Sequence, residues 1–383
     1  MKKEKRQFPR VTVKLPIRIT PEFFGKVVDL SETGLRFVLD KPLPLSKSQA
    51  KIEISPKETI ETAFKVIWDR RLVQQRKFTY GICFIRFKKR DLDVLKGALT
   101  KPKVKFISQP YNVPCVEMSG VDFTIGCEYG CVYCHFSKTQ EKINRIWSGR
   151  CVDISPIYKM KKFPSFIYLS PFSEPFAPKA KDLAHEFLSF LLPKGINFWI
   201  LTKGIIPRKT IDLIKKFSSQ VEIAVGITSL DEKRNSILEP YCPSVQERFS
   251  NLVALGKTGC RLGVRMDPLI PGVDDSPETL KTIIRKIARL KIPVIIIATY
   301  LFVPASSLRR LKKIPLLQNP LKSFTEKAPT TEGTVLSTPL KDKMAKYDEL
   351  NSICKSFGFK LHVCGCKDIR LKSKKVEYSL VCL

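Results

Sequence analysis

From about residue 120 to 310, apolar strand-like runs alternate with longer amphipathic segments, and this alternation limits the possible folds most. PSFIYLS precedes KDLAHEFLSFLL, INFWILT precedes RKTIDLIKKF, VEIAVGI precedes SVQERFSNLVALGK, and RLGVRMD precedes SPETLKTIIRKIARL, with IPVIIIAT following. Repeated strand–helix units call for a parallel sheet with helices packed outside it. The span holds about six units, which predicts a partial (β/α)6 TIM-type barrel and not a closed eight-fold one. Residues 341–357 read as a helix, and FKLHVCGC as a strand that ends in cysteines.

The first hundred residues follow another rhythm. VTVKLPIRI, GKVVDLS, GLRFVL, AKIEI, TAFKVIWDRR and FTYGICFIRF are short runs rich in β-branched and aromatic residues, with Gly25 and Gly34 at turns. Closely spaced short strands predict a small antiparallel β-barrel. DLDVLKGAL reads as one helix after it, and the proline-bearing KPKVKFISQPYNVP as a linker. The predicted organisation is multidomain: a barrel over 1–99, a linker over 100–114, a partial barrel over 115–310 and a C-terminal extension over 311–383.

Of the 383 residues 43% are hydrophobic, enough for a sizeable core. No apolar run approaches the ~18 residues of a membrane span, and no signal-type stretch follows the basic MKKEKRQFPR. A cytoplasmic protein without a membrane span is the expectation. A net charge of +32 favours polyanions such as nucleic acids. The excess is spread along the chain, so a nucleic-acid groove and a generally basic, solvated surface both stand as readings. Twelve cysteines in a reducing compartment point to metal ligation before disulfides.

Three of those cysteines lie in TIGCEYGCVYCHF, at 127, 131 and 134, a C-x3-C-x2-C spacing after the apolar segment VDFTIG. Each iron of a [4Fe–4S] cube takes one outer ligand. Three thiolates in one loop hold three irons and leave the fourth open to chelate a small molecule. Zinc is the alternative, with His135 as fourth donor, although zinc favours paired C-x2-C sets.

The spacing, with Tyr133 before the third cysteine, resembles the radical S-adenosylmethionine superfamily. Four ordered segments narrow the resemblance to its spore photoproduct lyase-like branch: SPFSEPFAP, ILTKG with PRKTIDLI, ITSLDEKRNSILEPYCPSVQERF, and VRMDPLIPGVDD. The resemblance implies a [4Fe–4S] cluster on Cys127, Cys131 and Cys134. It implies S-adenosylmethionine cleaved to a 5′-deoxyadenosyl radical, and a reductant such as ferredoxin or flavodoxin. It places Ser173 and Glu174 at the cofactor's amino group, Lys203 and Ser229 at strand ends facing it, and Arg265 at its carboxylate. Lys203 and Arg265 read alternatively as solvated loop charges, and Ser229 as a helix N-cap. Cys151 is the one nearby candidate for the hydrogen-donor thiol of a lyase.

At the front, RQFPR carries Arg6 and Arg10, and DLSETG carries Asp29, Ser31 and Gly34. R-x3-R followed by D-x-S-x2-G on a small barrel resembles a PilZ domain, whose ligand is cyclic di-GMP. Arginines four apart can grip phosphates and stack on guanine. Asp29 and Ser31 can bond a guanine edge, with Gly34 permitting the turn.

Cys354, Cys364, Cys366 and Cys382 form a second four-thiol set, read either as an auxiliary Fe–S cluster or as buried cysteines. The leading function is radical chemistry on an unknown substrate, regulated by cyclic di-GMP. A DNA repair lyase similar to spore photoproduct lyase and a non-enzymatic cyclic di-GMP effector are the alternatives.

Overall fold

The structure is a computed structural model that describes residues 10–20, 22–44, 46–55, 58–72, 75, 77–108, 119–134, 149–330 and 333–380. Arg6, Cys115, His135 and Cys382 lie outside the described residues. Of the described residues, 10–102 with Gly149 and Arg150 make one compact unit, and 103–134 with 151–380 make the other.

The first unit holds β1 (Val11–Ile19), β2 (Phe23–Leu30), β3 (Gly34–Leu39), β4 (Lys47–Ser55), β5 (Glu58–Leu72), β6 (Lys77–Phe87) and α1 (Lys89–Leu99). Period-two alternation drives the fold. On β1, Val13, Leu15, Ile17 and Ile19 are buried while the residues between them are exposed. The strands pair antiparallel in the order β1-β2-β3-β6-β5-β4, and β4 returns to β1, so the barrel leaves no free edge. Phe37 and Tyr80 stack at 5.2 Å between ring centroids inside it. The predicted antiparallel barrel is the observed one.

The second unit alternates strand and helix: β7 (Ile107–Ser108), β8 (Ser119–Val121), β9 (Phe166–Leu169), α2 (Lys181–Leu191), β10 (Asn197–Thr202), α3 (Arg208–Lys216), β11 (Val221–Gly226), α4 (Glu232–Leu238), α5 (Val245–Leu255), β12 (Arg261–Leu269), α6 (Pro277–Ala288), β13 (Ile295–Tyr300), α7 (Ala305–Leu311), α8 (Pro315–Gln318), β14 (Glu326–Thr330), β15 (Gly333–Ser337), α9 (Leu340–Ser356) and β16 (Leu361–Val363). The main sheet runs β16-β13-β12-β11-β10-β9-β8-β7, parallel throughout except for β7 against β8. Its strands face two ways. Phe198 and Ile200 of β10 join Phe187, Ile214 and Phe249 of the helices in the outer core. Trp199 and Leu201, one residue along, pack with Tyr168, Cys364 and Cys366 on the other face.

Two features depart from the sequence reading. The presumed linker is partly built into the sheet: Lys103 bridges Asp153, and Ile107–Ser108 pairs with β8. A two-residue strand has no periodicity of its own, so the reading missed it. The region expected to be an extension returns to the sheet, where β16 adds a parallel strand beside β13. The β14–β15 hairpin was also not anticipated.

Candidate functional site

Parallel strands deliver their C-terminal ends to one side of a sheet, and the loops there form a cavity of about 230 Å³. Cys127, Cys131 and Cys134 line it from the loop after β8. Ser173 and Glu174 reach it after β9, Lys203 after β10, Arg265 from β12, and Phe302 after β13. Gly126 and Gly130 take positive φ in the cysteine loop, and the Thr124 hydroxyl donates to the Gly126 carbonyl at 2.7 Å. The Val132 N–H donates to the Leu238 carbonyl at 2.9 Å, tying the loop to the end of α4.

The sequence-derived residues fare differently. The Ser173 hydroxyl donates to Asp122 Oδ1 at 2.6 Å. Burial pushes the Asp122 carboxyl up to about 6, although Ser173 and the Phe172 N–H act against it. Glu174 is buried and accepts from the Lys203 N–H at 2.9 Å, the Phe176 N–H at 3.2 Å and the Thr202 hydroxyl. Burial still raises its carboxyl above the usual range. Arg265 pairs with Asp267 two residues along its own strand, so an incoming carboxylate would meet an already paired guanidinium. Ser229 does not line the cavity. It is not the N-cap either: Asp231 caps α4, and the Ser229 hydroxyl accepts from the Asp231 N–H at 3.2 Å. Cys151 is likewise away from the cavity lining, and its thiol donates to the Lys179 carbonyl at 3.1 Å.

A buried charge network lies against the cysteine loop, and the sequence reading missed it. Glu239 meets Arg248 at 2.6 Å and Lys203 at 3.8 Å, and accepts from the Tyr133 and Thr228 hydroxyls. Arg234 continues the network to Asp274 at 2.6 Å. Burial alone would raise the Glu239 carboxyl, but Lys203 and Arg248 outweigh it and hold it down at about 2. Lys203 is raised in turn: burial opposes its charge, and Glu239, Cys131 and Cys242 together outweigh it. The motif EPYCPSVQER carried these residues in plain view, but nothing in a linear sequence shows that Glu239 and Arg248 are buried together.

Cys242 was unassigned by sequence. Its sulfur lies 3.6 Å from that of Cys131. This contact lowers the Cys131 thiol, whereas Cys131 and burial raise that of Cys242. Burial pushes Cys127 up to about 12.

Among the described residues no three His, Cys, Asp or Glu side chains converge to hold a single metal ion. A four-iron cluster gives each thiolate its own iron, and three cysteines around one cavity fit that donor set. Of the C-terminal set, Cys364 and Cys366 pack against Trp199 and Tyr168, while Cys354 lies in the separate outer core.

On the first unit, Arg10 donates to Asp29 at 2.6 Å, and Arg36 holds the second Asp29 oxygen at 2.9 Å. Ser31 is buried and donates to the Gly34 carbonyl at 2.9 Å, so its hydroxyl builds the turn. A Cβ on Gly34 would stand 2.2 Å from the Ile82 carbonyl oxygen on β6, so only glycine fits there.

No helix among the described residues is long and apolar enough to cross a membrane. The chain is 26% identical over 209 residues to an uncharacterized protein of Acidianus two-tailed virus, covering 47% of this chain and 69% of that one. It is 28% identical over 186 residues to an uncharacterized protein of Methanocaldococcus jannaschii, covering 47% and 71%. In structure it is similar to spore photoproduct lyase complexed with dinucleoside spore photoproduct, with a TM-score of 0.52 and 14% identity over 68% of this chain and 78% of that one. At that identity the likeness is one of fold. The PilZ domain family pattern matches residues 4–101, and the Radical SAM superfamily pattern matches residues 121–301. The chain therefore joins a PilZ domain to a radical S-adenosylmethionine domain.

Proposed function

We propose that this protein is a radical S-adenosylmethionine enzyme in which Cys127, Cys131 and Cys134 hold a [4Fe–4S] cluster. The observation that carries the reading is the shared cavity: the three motif cysteines line the same space as Ser173, Glu174, Lys203 and Arg265. Bound there, the cluster and its cofactor supply a 5′-deoxyadenosyl radical by one-electron cleavage of the sulfonium. The chain's own residues position and shield. Glu174 presents a carboxylate for the cofactor's amino group, and Asp122 orients Ser173 beside it. Arg265, already paired with Asp267, would have to share its guanidinium with the cofactor's carboxylate. Leu301 and Phe302 add apolar wall that limits water. Electrons come from an external reductant of the ferredoxin or flavodoxin kind.

Cyclic di-GMP is the proposed regulator. Arg10 is paired with Asp29, two residues before Ser31, and Arg6 lies four positions before Arg10 in the sequence. The +32 charge favours a polyanionic substrate, which keeps DNA lesion repair as the second reading. Cys151 gives that reading no support, because its thiol lies outside the cavity lining.

Anaerobic reconstitution tests the assignment. Wild-type chain is expected to bind about four irons and to release 5′-deoxyadenosine from the cofactor. Cys131→Ala is expected to lose both, and undiminished cleavage by that variant would sink the reading.

A further inference from the structure

Cys242 lies inside the EPYCPSVQER segment, where the resemblance gave it no role, and the fold fastens it to the cysteine loop. The Val132 N–H donates to the Leu238 carbonyl at 2.9 Å, Tyr133 donates to Glu239, and the Tyr241 ring lies over Gly130. The Cys242 N–H donates back to the Glu239 carbonyl at 3.0 Å, closing the turn that presents its sulfur. The result is a contact of 3.6 Å between the sulfurs of Cys242 and Cys131, residues 111 apart in sequence.

We infer that Cys242 is a positioning residue for the cluster, its thiol donating a hydrogen bond to the sulfur of Cys131. This rests on the reading of Cys131 as an iron ligand. A thiolate bonded to iron has no proton to give, so the shared hydrogen must come from Cys242. Cys242 is not itself a ligand for the open iron, because it does not line the cavity where the cofactor binds. Hydrogen bonds to cluster sulfurs help to set the reduction potential. Added negative charge in the reduced cluster strengthens such a bond, so the donor raises the potential and eases reduction. Lys203, whose ammonium lies 3.8 Å from Glu239 and 5.4 Å from the Tyr133 ring, adds positive charge on the same side.

The test is a redox titration followed by electron paramagnetic resonance on the reconstituted full chain, comparing wild type, Cys242→Ala and Cys242→Ser. Iron content is expected to be equal in all three. The alanine variant should show a lower midpoint potential, and serine, whose hydroxyl still donates, should recover much of the difference. An unchanged midpoint in the alanine variant overturns the inference. So does loss of iron from it, which would make Cys242 a ligand. A second arm needs no cluster. Cluster-free chain is treated with diamide, whose N=N bond takes two electrons and two protons from two thiols as an S–S bond forms. Peptide mapping should find Cys131 joined to Cys242. No such link, in a chain that still assembles a cluster, overturns the contact and leaves the cluster reading standing. A link in a wild-type chain that assembles no cluster sinks the cluster reading and, with it, the role given to Cys242.

Discussion

Arg248 sets its guanidinium 2.6 Å from the Glu239 carboxylate, with side-chain exposures of only 1% and 0%. The pair sits where α5 meets the loop after α4, and the Arg248 Nε and Nη groups also donate to the Pro243 and Gly226 carbonyls at 2.9 and 3.2 Å. A buried pair of this kind is weak as a source of stability but expensive to break, because the survivor is left charged and out of water. Glu239→Gln would leave Lys203, Arg234 and Arg248 facing a neutral amide. A loss of about 3–5 kcal/mol is expected for the unfolding transition of the second unit, measured by urea titration of the full chain. A loss under about 1 kcal/mol, the value of an exposed pair, would contradict the burial.

Asp122 gives a pH signature. Its folded carboxyl is raised to about 6 from an ordinary value near 3.8, chiefly by burial. Between those values the folded chain binds the proton and the unfolded chain does not, so this group makes stability fall as pH rises through that window. Asp122→Asn keeps an oxygen to accept from Ser173 and carries no charge. Its stability relative to wild type should therefore grow from pH 4 to pH 6 and level off above. Parallel stability profiles for the two chains would refute the shift.

Gly34→Ala should damage the barrel directly. The new methyl would stand 2.2 Å from the Ile82 carbonyl oxygen, and that atom belongs to backbone paired between β3 and β6. Overpacking of this kind costs about 1–3 kcal/mol, read as a lower melting temperature of the first unit by calorimetry. An unchanged transition would mean that the two strands separate more easily than their register indicates.

Arg10 gives a binding prediction that follows from its partner. A phosphate oxygen must replace or join Asp29 at its guanidinium, now held at 2.6 Å. A charged hydrogen bond contributes about 1.5–3 kcal/mol, so Arg10→Ala should weaken cyclic di-GMP binding roughly 10- to 100-fold. Isothermal titration of the full chain measures this. Equal affinities would remove Arg10 from the site.

The C-terminal cysteines predict an iron count. Cys354 lies in the outer core, whereas Cys364 and Cys366 pack with Trp199 on the other face of the sheet. Reconstituted chain should hold about four irons, one cube, and Cys364→Ser with Cys366→Ser should leave that number unchanged. About eight irons in wild type, falling with those substitutions, would establish the auxiliary cluster instead.

Much of this was legible in the linear chain because the relevant physics is local. Alternation of period two along VTVKLPIRI and the strand–helix rhythm from PSFIYLS onward mark which face of each element must leave water. Three thiols within eight residues mark the cysteine loop in the same way. Neighbouring strands are another matter, because a strand carries no label for its partner. The return of Leu361–Val363 to β13, the docking of Ile107–Ser108 on β8 and the meeting of Cys131 with Cys242 are all contacts between distant segments. Ser229 makes the same point in reverse: its segment suggested a cofactor contact or a cap, and the backbone gave the cap to Asp231. The sequence by itself determined the two modules, the kinds of their elements and the cysteine loop. Only the tertiary structure decided that Glu239, Arg248, Lys203 and Cys242 would surround that loop, because packing, not spacing, sets which buried charges and thiols become neighbours.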